Sequence, residues 1–266
     1  MKCFLSCLKD QHLFMAFKVS RTRVASLHFC CSLLLAVAVA LLVFGLWYPY
    51  PYQKISGGME LFIIVMGVDV VLGPLITLIV FNKKKSCREL IGDFSAIAAL
   101  QIMAVCYGVW VLSEARPVHL AFEIDRFRVI HVADVPSDLI ARTPVGIKAL
   151  PLTGPTLVAV RQFADSEEEL RATLVALQGI SLGARPDLWE RYDKAQPRVL
   201  AASKSLSNLI QKFPERLEEI TQTVRDVGRP LNSVVYLPLV GRKDYWTVLL
   251  DSKTAEVLAF LPLDSF

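Results

Sequence analysis

From residue 116 onward the chain has no cysteine and no apolar run long enough to cross a membrane. The first absence excludes disulfide staples, so a fold there must rest on its own core, for which about 150 residues suffice. No G-x-x-x-x-G-K-[ST] and no G-x-G-x-x-G occurs, which removes two phosphate-cradling loops. The same stretch holds only two histidines, His119 and His131. Neither has a metal-ligand spacing or a nucleophile elbow beside it, and both read as strand-face histidines. The Glu167, Glu168 and Glu169 run reads as helix N-terminal charge, favourable with the dipole, rather than as acid/base groups. We therefore expect no catalytic, cofactor-binding or metal-ligating residue and no enzymatic activity.

Charge is missing from three other stretches. Residues 25–47, 61–81 and 94–112 are apolar and contain a single Asp, Glu, Lys or Arg, namely Asp69. Each run has about the 20 residues a helix needs to cross a hydrocarbon core. With 54% apolar residues and a mean hydropathy of +0.46, the chain reads as part membrane and part globular. The first run is too long for a signal h-region and no A-x-A site lies directly before Tyr48, so it reads as an uncleaved anchor.

The net charge of +4 lies on the membrane flanks. From Arg116 to Phe266, Lys plus Arg and Asp plus Glu are 19 each, which leaves no basic field for nucleic acid. Lys2, Lys9, Lys18, Arg21 and Arg23 precede the first run. Lys83, Lys84, Lys85 and Arg88 separate the second from the third, and Lys54 alone separates the first from the second. Cytoplasmic loops collect Lys and Arg. The expected order is a cytoplasmic N-terminus at 1–24, a periplasmic loop at 48–60, a basic cytoplasmic loop at 82–93 and a periplasmic domain at 116–266. Trp47, Tyr48, Tyr50 and Tyr52 read as an interfacial aromatic cluster, and Arg116 as a side chain that snorkels to the headgroups. Cys3, Cys7 and Cys87 fall on the cytoplasmic side and Cys30, Cys31 and Cys106 in spans. Met15 opens a compact basic segment, and residues 1–14 resemble neither anchor nor domain, so Met15 stands beside Met1 as a candidate start.

Asp69 is costly in a bilayer and is expected to face protein with a partner. On a helix Asp69, Gly73 and Thr77 share a stripe, and Pro74 cannot donate to the carbonyl of Val70. The third run has Gln101, Ala104 and Gly108 at similar spacing, and the first Ser32, Ala36 and Ala40; small residues so placed let membrane helices approach. Asp69 and Gln101 differ by about 6 Å in depth, within side-chain reach. Asp69, Gly73, Thr77 and Gln101 are thus the candidate intramembrane cluster, with Asp69 neutral. Three roles are open: a staple between helices, a contact for another protein's helix, and a proton or ion site. Intramembrane aspartyl proteolysis needs a second carboxyl, and no other Asp lies in a span.

Beyond Pro117 the pattern changes. Val118, Leu120, Phe122 and Ile124 alternate as one face of a half-buried strand, and 126–130 continues or pairs with it. Short strand 157–160, a Ser166–Glu169 capping box opening a helix, and helices at 197–211 and 214–226 follow. Runs 233–240, 245–250 and 256–261 read as an antiparallel meander. The fold class is three transmembrane helices followed by an exported α+β domain ending in that meander.

Trp47-Tyr-Pro-Tyr-Pro-Tyr52 with Ser56-Gly-Gly58, the 67–81 segment Gly67-Val-Asp-Val-Val-Leu-Gly-Pro74 onward, Ala115-Arg-Pro-Val118 with Phe122 and Asp125-Arg-Phe127, Pro151-Leu-Thr-Gly-Pro155, Leu237-Pro-Leu-Val-Gly-Arg242 and Leu261-Pro-Leu-Asp264 resemble the TfpX/TfpZ family of type IV pilin accessory proteins. The resemblance runs from about residue 15 to the end and departs at 1–14. It implies a bacterial inner-membrane protein that helps a cognate major type IV pilin into normal pilus assembly, with other pilus assembly components and membrane lipid as further partners. It supplies no catalytic residues. A pilin-specific chaperone or assembly modulator is the function so implied. The alternative is a periplasmic sensor or scaffold unrelated to pilin, against which the 82–93 loop is too small for an output domain.

Overall fold

The computed structural model describes residues 20–82 and 85–266. The candidate start at Met15, the thiols Cys3 and Cys7, and the lysines Lys2, Lys9, Lys18, Lys83 and Lys84 lie outside the described residues. The described residues form two compact units, one within 20–40 and 62–109, the other of 41–61 and 110–266.

The first unit holds most of three long helices. α1 spans Arg21–Leu42 and runs on as a π-helical turn, Val43–Trp47; short α2, Tyr52–Ile55, follows; α3 spans Gly58–Val80 and α4 Cys87–Glu114. Segments Arg21–Trp47, Gly58–Val80 and Arg88–Glu114 are long and apolar enough to cross a membrane. α4 begins well before the apolar run, because Ser86 caps it: Glu89 N–H donates to Ser86 Oγ and Ser86 N–H to the Glu89 carboxylate. The inward stripes are narrow. α1 buries Ser32 and Ala36, and α3 buries Met66, Asp69, Gly73 and Thr77. α4 turns Ile97, Gln101 and Gly108 inward, but Ala104, expected on this face, is exposed. The i, i+4 step from Gln101 carries the stripe through Val105 instead.

The second unit is an α+β domain around an eight-stranded mixed sheet. Its strands are β1 Pro117–Phe122, β2 Phe127–His131, β3 Thr156–Val160, β4 Trp189–Arg191, β5 Lys204–Ser205, β6 Val234–Val240, β7 Tyr245–Asp251 and β8 Val257–Leu261. Helices α5 Ser166–Leu177, α6 Tyr192–Ala202, α7 Leu206–Lys212 and α8 Leu217–Asp226 complete it. The order is β4-β3-β1-β2-β6-β7-β8, with β5 on β6. β1–β3 and β2–β6 are parallel. The final β6-β7-β8 is the antiparallel meander.

Local chemistry moved several elements from their expected places. β1 is buried along its whole length rather than on one face, because it is a central strand between β2 and β3. A register irregularity at Pro117/His119 turns Val118 to the core of Ala121, Ile130 and Val158, while Leu120 and Phe122 join the opposite core. Ile124 lies past the strand end and is exposed. The cap of α5 is Asp165, not Ser166: its carboxylate accepts from Glu168 N–H at 2.8 Å. Glu168 in turn accepts from Ala164 N–H and from both arms of Arg161, whose hydrogen bonds with that backbone bond lower its carboxyl to about 2. The expected helix at 197–211 is two helices. α6 stops at Ala202, β5 pairs with β6, and Ser205 caps α7.

Residues 48–57 pack onto this domain, with Tyr48, Pro51, Tyr52, Ile55 and Ser56 buried. Tyr52 and Ile55 belong to the same core as Leu120, Phe127, Val199, Leu237 and Trp246. The Tyr52 ring meets Phe260 edge-on at 5.7 Å, and Tyr48, fully buried, donates its hydroxyl to the Leu112 carbonyl at 3.1 Å. Backbone bonds complete the seam: Arg242 N–H to Ile55 O at 3.1 Å and Gly154 N–H to Leu46 O at 2.6 Å. The glycine pair here has a physical reason. Gly57 adopts φ +69°, which glycine enters freely, and a Cβ on Gly58 would run into the Tyr48 ring. Thus Tyr48 and Tyr52 are core residues, and of this aromatic group Tyr50 is the exposed one. Arg116 is also buried: its guanidinium binds Ser113 O and Oγ, both at 2.8 Å, and lies over the Trp47 ring at 5.8 Å. Burial lowers its pKa from the ordinary value.

Candidate functional site

The sequence places Asp69, Gly73 and Thr77 along one face of α3 and Gln101 on α4. The structure brings all four together and adds His28 from α1. His28 Nε2 lies 2.5 Å from Gln101 Oε1, and His28 Nδ1 lies 2.6 Å from Thr77 Oγ1. A carboxamide oxygen only accepts, so Nε2 carries the proton and Nδ1 accepts from the Thr77 hydroxyl. The Gln101 amide nitrogen donates to the backbone carbonyl of Asp69 at 3.5 Å, a long bond.

Gly73 makes this possible. A Cβ there would collide with the Gln101 carboxamide and come within 3.3 Å of His28 Nε2. A side chain on Gly108 would likewise strike Val65, so the small residues on α3 and α4 set how closely the helices approach. Gly67, on the same helix as Gly73, has nothing within 4 Å of an added Cβ. Small size therefore matters only on the inward stripe.

Asp69 is held differently from the expected cluster. Its backbone takes the Gln101 bond, and its carboxyl is 6% exposed with Oδ1 lacking any hydrogen-bond partner. Among the described residues of this unit it is the one buried side-chain oxygen or nitrogen so left. An unsatisfied carboxyl oxygen is costly in hydrocarbon, and a proton or an outside donor would relieve it. His28 was missed because a histidine does not count as a charge. Its signal was its spacing, since His28 extends the Ser32, Ala36 and Ala40 stripe by one step of four.

The domain histidines divide. His119 is fully buried and satisfied, with Nδ1 2.8 Å from Thr156 Oγ1 and Nε2 2.9 Å from Ala149 O. Burial lowers its pKa to about 4, so it is neutral. His131 is 2% exposed and contacts Asp134 through Nδ1 at 2.9 Å, but its Nε2 has no partner.

Known proteins with this pattern are informative. The chain is 33% identical over 246 residues to "Fimbrial assembly protein, serogroup E1" of Dichelobacter nodosus, covering 92% of this chain and 95% of that one. The chain belongs to the fimbrial assembly protein family. A serogroup I relative from the same organism is 34% identical over the same shares, and the protein of serogroups C1 and C2 is 42% identical over 113 residues, 42% of this chain and 86% of that one. A family model described as Fimbrial assembly protein FimB matches residues 16–57. That stretch takes in α1 with His28 and continues through the buried Tyr48, Tyr52 and Ile55 of this family member. No solved structure matches.

Proposed function

We propose that this protein is an inner-membrane accessory factor for type IV pili, of the TfpX/TfpZ kind, acting as a pilin-specific chaperone or assembly modulator. The observation that carries the reading is the likeness along nearly the whole chain to fimbrial assembly proteins, spans and domain together. The major pilin is the partner, with membrane helices and exported domain both offering contact, and no reaction is catalysed. The N-terminus and the 82–93 segment face the cytoplasm and the domain faces the periplasm, following the Lys and Arg distribution. Asp69 suits the membrane part of that role, because its unpartnered oxygen accepts a hydrogen bond from a neighbouring helix.

Two measurements test this. Tagged protein purified in mild detergent retains the major pilin, and deletion of the gene lowers surface piliation. A periplasm-active reporter fused after Phe266 is active and one fused at Ser86 is silent. Absence of pilin from the purified material, with piliation unchanged in the deletion strain, would remove the chaperone reading.

A further inference from the structure

The α+β domain has a polar cavity of about 360 Å³ that the membrane contacts do not use. β2 brings Arg128 and His131 to its wall, the turn after β2 brings Asp134, the turn after α5 brings Ser181, and the β6–β7 turn brings Arg242.

Its groups are set up for a guest of negative charge. The Asp134 carboxylate accepts from His131 N–H and from Nδ1–H, both at 2.9 Å. Burial raises the Asp134 carboxyl, but its bonds to His131 and the nearby charge of Arg242 outweigh that and leave it below its ordinary value. With Nδ1–H given to Asp134, Nε2 of His131 has no protein partner and, unprotonated, only accepts, so the donors for an anion are the two arginines and not this ring. Arg128 gives Nε to Glu123 at 3.0 Å, and Glu123 is itself anchored by Gly183 N–H at 3.0 Å, so the arm is fixed while its terminal nitrogens stay unengaged. The Arg242 guanidinium makes no hydrogen bond or ion pair among the described residues, although its backbone is pinned to Ile55. Two guanidinium forks suit a carboxylate, which each can meet with paired N–H donors.

We propose that this cavity binds an acidic side chain, Asp or Glu, on an extended segment of the subunit that the protein handles. The choice of a protein guest rests on the function proposed above. A second cavity of about 340 Å³ shares Arg128, Gly179 and Ser181 with the first; Ile124, Ala176 and Leu182 give it apolar surface for residues flanking the carboxylate, beside the charged Glu123, Asp125 and Arg126. A lipid headgroup would use only the charged end. The domain also has 19 basic and 19 acidic residues, hence no general attraction to an anionic bilayer.

The test uses the full chain in phosphatidylcholine nanodiscs, titrated at millimolar concentration with acetyl-Ala-Ala-Glu-Ala-Ala-amide and its Gln counterpart. The Glu peptide binds saturably. The Gln peptide, and Arg242→Gln with the Glu peptide, each bind about tenfold more weakly or worse, the loss expected of one charge-assisted hydrogen bond. Arg242 makes no side-chain hydrogen bond or ion pair among the described residues, so its variant loses only a nearby charge on Asp134 and shifts the Tm little. Failure of the Glu peptide to saturate, equal binding of the Gln peptide, or an unaffected Arg242→Gln variant overturns the proposal. So does Arg242-dependent binding of phosphatidylglycerol vesicles without peptide binding, which assigns the cavity to headgroups. Co-purification of intact pilin is read separately. If pilin co-purifies and the peptide does not bind, the cavity proposal fails and the accessory function stands. If the peptide binds and pilin never co-purifies, the cavity is sustained as a carboxylate site and the accessory function fails.

Discussion

Gln101 Oε1 accepts from His28 Nε2 at 2.5 Å, a hydrogen bond between two membrane helices whose residues lie 73 positions apart in the chain. The same imidazole reaches Thr77 on the third helix, so one side chain ties all three together.

His28→Ala removes both bonds and leaves Gln101 and Thr77 without that partner. Interhelical hydrogen bonds in membranes contribute about 0.6 kcal/mol each, and orphaned groups add to the cost, so the loss is roughly 1–3 kcal/mol. Unfolding of purified protein in bicelles measures it. A variant as stable as the parent removes the clasp.

Gly73 and Gly67 form a matched pair on α3. Gly73→Ala pushes a methyl group into the Gln101 carboxamide and costs about 1–3 kcal/mol by overpacking, while Gly67→Ala meets open space and is neutral. The same bicelle assay compares them. Equal effects would mean the helices do not pack as closely as described.

Asp69 separates three roles. If its free oxygen receives a partner helix, Asp69→Asn is mild and Asp69→Leu loses pilin in co-purification at normal protein level. If it is only a staple, Asp69→Leu lowers the protein level or does little. If it carries protons, Asp69→Asn is inactive at full abundance, since an amide does not exchange that proton. The expected outcome is the first.

His119 gives a pH dependence with a defined sign. Its folded pKa of about 4 lies below the ordinary 6.5, so the unfolded chain binds more protons between these values. Stability conferred by the neutral imidazole is complete above about 6.5 and falls as pH drops toward 4, by about 3 kcal/mol at most. His119→Gln flattens that part of the curve. A parent protein equally stable at pH 7 and pH 4.5 contradicts the assignment.

The spans were legible because twenty uncharged residues have few other solutions, and the meander because its turns separate three short apolar runs. Asp69, Gly73, Thr77 and Gln101 were legible from the stripe rule. His28 was not, because a neutral histidine looks unremarkable within an apolar run. The aromatic segment was misread for a deeper reason. Tyr48 and Tyr52 near a span boundary suit both an interface and a protein core, and only the long-range contacts with Leu112 and Phe260 distinguish the two. The Arg242 and His131 cavity escaped because its walls come from β2, the turns after β2 and α5, and a hairpin far along the chain, with no local motif.

Tyr52 and Ile55 share a core with strands that are made only after two more apolar helices have been synthesised. Packing of this kind requires both pieces of chain to be in the same aqueous compartment, whichever it is. The number of bilayer crossings between them must therefore be even, a parity that owes nothing to loop charge. It also orders events in the cell: the first hairpin has to be delivered and wait, with two tyrosines and an isoleucine uncovered, until the rest of the domain arrives to close over it. Inverting either half afterwards would mean unfolding the domain, so completion of this core acts as a ratchet on topology.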